Sequence, residues 1–73
     1  MSEYSFNKGW NELKGRDRAA AKRDLMAALN ITTNAAFCDR RRGDVEPRIS
    51  QVTIIEDVFA KYGVEAKDVW GDE

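Results

Sequence analysis

Seventy-three residues, 42% hydrophobic and with seven aromatics, specify one small domain near the lower limit for an unassisted core, and they exclude global disorder. The absence of histidine removes the commonest general base and metal ligand, and the single cysteine, Cys38, cannot form an internal disulfide, which suits a reducing compartment. A net charge of −1 excludes a uniformly basic nucleic-acid coat, and no apolar run reaches membrane-spanning length.

The charge is unevenly spread. Nine Lys/Arg stand against five Asp/Glu from Lys14 to Arg48, a balance of +4, whereas two Lys face six acids from Ile49 to Glu73, a balance of −4. The chain therefore reads as dipolar, with one cationic and one anionic face, or as ordinary scattered surface charge that maintains solubility. The N-terminus lacks the basic-then-apolar order of a signal peptide, so the expectation is a soluble cytoplasmic protein.

Residues 1–4 are expected to be loosely held. Phe6, Trp10 and Leu13 then recur at spacings of four and three, one face of a short helix that Gly15 should end, with Trp10 as a core anchor. Asp17 is the expected N-cap of a second helix over 18–29, with Ala21, Leu25, Ala28 and Leu29 as its buried stripe. Arg18 and Lys22 lie off that stripe, either as a solvated basic face or as a grip on phosphate.

Asn30 suits the left-handed residue that ends a helix, and Ile31 the apolar plug of the following turn. Thr32 or Thr33 offers a hydroxyl to cap a third helix over 33–42, which Gly43 stops. That helix has little to bury. Phe37 is its anchor, with Ala35 and Ala36 beside it, while Thr33, Asn34, Cys38 and Arg41 remain as outward polar or small groups. Threonine and asparagine near the amino end, with arginine further along, are groups that hydrogen-bond base edges and phosphates. Arg40, Arg41 and Arg42 also satisfy a helix carboxyl end electrostatically, although one arginine suffices for that.

A loop holding the only proline, Pro47, leads to Ser50, the expected cap of a fourth helix over 51–62. Val52, Ile55, Phe59 and Tyr62, flanked by Ile54 and Val58, make it the most amphipathic stretch; Gly63 and Val64 supply its terminator. A short turn or helix over 65–70 returns Val69 and Trp70 to the core, or leaves Trp70 for a dimer seam, and 71–73 should be disordered.

The runs RAAAKRDLMAALNITTNAAFCDRRRG and EPRISQVTIIEDVFAKYGV resemble the lambda-repressor-like helix-turn-helix group of small bacterial and phage regulators over roughly residues 17–64. The resemblance implies an all-α, four- to five-helix domain, with 18–29 as scaffold helix, 33–42 as recognition helix and 51–62 as the helix that follows. Asn30 stands where the family usually has glycine, and no second large apolar residue follows Phe37 by one turn, so either an arginine stem covers that gap or the helix sits differently. Thr33, Asn34 and Cys38 are then implied to face the major groove, with Arg41 or Arg42 reaching a base or phosphate. Thr32 and Arg48 join Arg18, Lys22 and Arg40 as further DNA contacts. Cys38 reads as a small surface filler rather than a redox switch. The implied function is sequence-specific double-stranded DNA binding as a homodimeric, nucleoid-associated transcriptional regulator. The alternative is a protein-interaction module on the same helices. No glycine-rich phosphate loop or evident carboxylate pair suggests an enzyme, and no cofactor, metal or small-molecule substrate is expected.

Overall fold

The structure, a computed structural model, describes residues 4–71. It is all-helical: α1 (Asn7–Glu12), α2 (Gly15–Ala28), α3 (Asn34–Arg42), α4 (Ile49–Lys61) and a 3-10 turn (Ala66–Asp68). The molecule measures 25 × 24 × 20 Å. Among the described residues no helix is long and apolar enough to cross a membrane.

Two boundaries differ from expectation. Gly15 does not end α1 but begins α2, because Leu13 and Lys14 are both extended and reverse the chain between the helices. Asp17 accordingly sits in the first turn of α2 rather than at its cap, where its charge still meets the positive end of the helix dipole. Ser50 likewise lies inside α4. The extended residue Arg48 occupies the cap position, and the Gln51 side-chain oxygen accepts its backbone N–H at 3.0 Å.

Three helices end on the same double hydrogen-bonded closure. After α2, Asn30 takes φ 56°; its N–H donates to Ala27 O (3.3 Å) and that of Ile31 to Met26 O (2.8 Å). Gly43 (φ 81°) with Asp44 closes α3, and Gly63 (φ 85°) with Val64 closes α4. In each, a left-handed residue turns the chain so that the next N–H can reach back to an orphan carbonyl. Ile31 and Val64 then fold down on the core, half-buried and buried respectively.

The core joins every element. Ala21, Leu25 and Leu29, spaced by four along α2, lie buried with Ile55 and Phe59 of α4, while Ala28 falls outside that row and is exposed. Phe6 is central: its ring meets Phe37, Phe59 and Trp70 edge-on, with centroids 6.1, 5.7 and 6.4 Å away. Trp10 is half-buried and meets Phe37 edge-on at 5.3 Å, leaving Gly9 as the fully buried position of α1. Six residues of helix cannot hold themselves together in water, so α1 depends on this packing.

The two ends of the described chain are fastened together. Gly71 N–H donates to Ser5 O at 2.7 Å, Lys8 N–H to Gly71 O at 3.0 Å and Gly9 N–H to Val69 O at 3.0 Å. Gly71 is thus ordered, contrary to expectation, and Tyr4 is half-buried with its ring edge-on to Trp70. The other terminal residues expected to be loose, 1–3 and 72–73, lie outside the described residues. Trp70 faces inward in part, its indole N–H donating to Glu56 Oε2 at 2.8 Å.

A polar clasp joins α2 to α4. Asp24 Oδ2 accepts from the Tyr62 hydroxyl at 2.5 Å and from Lys61 Nζ at 3.1 Å. The Tyr62 hydroxyl, then the Lys61 ammonium, hold the Asp24 carboxyl below its ordinary range, and the hydrogen bond to Asp24 raises both Tyr62 and Lys61.

Candidate nucleic-acid interface

The candidate surface is built on α2, its turn and α3. The Thr33 hydroxyl accepts the Ala36 N–H at 3.2 Å, so Thr33 is the cap and α3 proper starts at Asn34. That cap leaves the Thr33 O–H free to donate outward. Thr32, Thr33, Asn34 and Ala35 are all exposed, so the amino end of α3 faces solvent. Phe37, at 1% exposure, anchors the helix from beneath.

Lys22 of α2 reaches across to this end. Its ammonium donates to Asn34 Oδ1 and lies 5.5 Å from the Phe37 ring centroid, which fixes the asparagine amide against the scaffold helix. Arg18, one turn earlier on the same side of α2, is exposed. Lys22 and Asn34 are thus brought together beside the Thr33 cap, with Arg18 one turn away on α2 and Thr32 next to the cap in sequence.

The carboxyl end of α3, roughly 13 Å away along a nine-residue helix, departs from expectation. Arg41 was expected to point outward. It is half-buried instead, with its guanidinium carbon 5.9 Å from the Trp10 ring centroid and its Nε buried without a hydrogen-bond partner. The cause is helical phase: Arg41 follows Phe37 by four residues and so shares its inward side. Its stem covers the gap left by the missing second apolar residue. Its carbonyl is tethered as well, accepting from Phe6 N–H at 3.0 Å and from the buried Ser5 hydroxyl at 2.9 Å.

Arg40 is half-buried and donates to Gln51 Oε1 at 3.2 Å, the oxygen that also receives the Arg48 N–H. Gln51 thereby fastens α3 to the start of α4. Arg42 is exposed but paired twice, to Asp39 at 2.6 Å and Asp44 at 3.1 Å. Cys38, one turn beyond Asn34, is a half-buried free thiol. Arg48 is exposed. The three consecutive arginines thus divide into one pin to α4, one shelf against Trp10 and one surface cation shared by two carboxylates.

Sequence reasoning missed the contacts of Gln51, Asp39, Asp44 and Ser5 with this helix, and read Trp10 as a core anchor without its contact with Arg41. Asp39 and Arg42 stand three apart on one helix, and Gln51 stands three after the capping residue; both spacings are readable signals. The contacts of Ser5 and Trp10 with Arg41 span 36 and 31 positions and leave no local trace.

The arrangement offers hydroxyl and amide hydrogen-bonding groups flanked by cations. Among the described residues no group of three or more His, Cys, Asp or Glu side chains could hold a metal ion. Comparisons with family models, curated proteins and solved structures give no match.

Proposed function

We propose that this protein binds double-stranded DNA sequence-specifically, as a small homodimeric transcriptional regulator of the lambda-repressor-like helix-turn-helix kind, with α3 entering the major groove. The observation that carries this reading is the exposed amino end of α3, where Asn34 is held by Lys22 beside exposed Thr32 and the capping residue Thr33. In this reading Asn34, with Cys38 one turn on, meets base edges, while Thr32, Thr33, Arg18 and Lys22 meet the backbone at the helix's positive end. Arg42 exchanges Asp39 and Asp44 for a phosphate. Arg40 and Arg41 set the angle of α3 rather than touch DNA, which revises the role the sequence suggested for them.

The test is selection of random duplex DNA by the purified protein, followed by binding of the enriched duplex at several salt concentrations. The expected result is a palindromic motif. Three cations, Arg18, Lys22 and, once released from its carboxylates, Arg42, predict a log–log salt slope of about −2.7 per protomer, from roughly −0.9 per neutralised phosphate. No enriched motif, or salt-independent association, refutes the proposal.

A further inference from the structure

We propose that segment 45–49, between α3 and α4, is a self-recognition surface at which two copies of this chain meet about a two-fold axis through Pro47. Val45 and Ile49 are the exposed large hydrophobics among the described residues, at 42% and 90% exposure. Ile49 opens a helix that otherwise turns its apolar side inward, yet its own side chain stands almost wholly in water.

Between them lie Glu46 and Arg48, both exposed and neither in an ion pair among the described residues. Arg48 is extended (φ −70°, ψ 158°), and the proline ring disfavours helix at Glu46. The order apolar, acid, proline, base, apolar is its own complement when laid antiparallel. Val45 then faces the partner's Ile49, Glu46 faces the partner's Arg48, and symmetry makes each contact twice.

This pattern selects a second copy over other occupants. A purely acidic or purely basic partner leaves one charge opposite its like, and an anionic lipid surface meets Glu46 as well as Arg48. Five residues per copy offer far less than the roughly 800 Å² per partner of a standard stable interface, so the free dimer is weak. It gains strength when another interaction holds both copies close. Only that last use, on paired DNA half-sites, rests on the proposed function; self-association in solution does not.

The test is sedimentation equilibrium on the whole chain from about 10 μM to about 1 mM, a span suited to weak association, with NMR chemical shifts followed on dilution. The expected result is a concentration-dependent dimer whose shifts move at residues 45–49. E46R and R48E should each weaken it by about tenfold or more, since each places like charges opposite one another twice. The double variant E46R/R48E should regain it, and an equimolar mixture of the two single variants should form a heterodimer. Neither side chain makes an internal ion pair, and an unchanged circular dichroism spectrum confirms folding of each variant. A protein that stays monomeric throughout, a dimer indifferent to the single reversals, or a mixture no more associated than its components overturns the proposal. Dimerisation of this kind without DNA binding sinks the functional reading alone, and DNA binding without this dimer sinks this surface alone.

Discussion

Replacing Gly9 with alanine tests how closely α1 lies against the returning end of the chain. A Cβ built on Gly9 falls 2.9 Å from Val69 Cα, 3.1 Å from Val69 O and 3.3 Å from Phe59 Cε1. Two of those atoms are backbone, so no rotamer change relieves the contact, and segment 69–71 has to move. That movement disturbs the Gly9 N–H to Val69 O bond and the packing of the fully buried Val69. Overpacking of this kind costs ~1–3 kcal/mol and a lost hydrogen bond ~1 kcal/mol, against a gain of ~1 kcal/mol for alanine over glycine in a helix. The balance is a destabilisation of about 2 kcal/mol, or a fall in Tm of roughly 8–16 °C for a domain of this size. Thermal unfolding followed by far-UV circular dichroism measures it. Helix propensity alone predicts the opposite sign, so a Tm equal to or above that of the parent protein refutes the close approach.

Thr33→Ala removes the cap of α3 and should lower unfolding stability by ~1 kcal/mol in urea titration, with weaker DNA binding because the O–H donor of the same group is lost with it. Asp39→Asn releases Arg42 from one of its two carboxylates and removes a negative charge from the exposed side of α3; duplex affinity at low salt should rise and its salt dependence steepen. The clasp between α2 and α4 predicts stability lost at both pH extremes. Asp24 is depressed, so its contribution is present above the unfolded carboxyl pKa and disappears as pH falls through the lower folded value. Tyr62 and Lys61 are raised, so theirs is present below about pH 10, the ordinary tyrosine range, and fades as pH climbs through the folded values. Tyr62→Phe should flatten both limbs in urea melts across pH; unchanged limbs assign the dependence elsewhere.

Much of the fold is legible in the sequence because its punctuation is local. Asn30, Gly43 and Gly63 each mark a residue that must turn left-handed, and the Thr33 cap lies three residues before the amide it receives. The period of α4 places Ile55 and Phe59 inward without reference to any other element. Where expectation fails, the deciding interaction is distant or is made by the backbone. Gly15 reads as a stop, yet two extended residues before it make it a start. Backbone groups fasten Gly71 to Ser5 and Lys8, and main-chain bonds have no side-chain signature.

The candidate surface divides along the same line. Its amino end rests on the Asn30 turn and the Thr33 cap, and Lys22 meets Asn34 across only twelve positions. At the carboxyl end, three arginines look alike in sequence. Their environments separate them: Gln51 takes Arg40, Trp10 receives Arg41, and two carboxylates hold Arg42. Helical phase alone turns Arg41 inward, since it lies one turn after Phe37.

The most direct measurement compares the parent protein with Asn34→Ala on the enriched duplex and on a scrambled duplex of equal length and composition. The account predicts that discrimination between the two falls by about 1–3 kcal/mol, roughly five- to 150-fold, while affinity for the scrambled duplex is nearly unchanged. An Asn34→Ala variant that discriminates as well as the parent would show that the exposed amino end of α3 does not read the sequence.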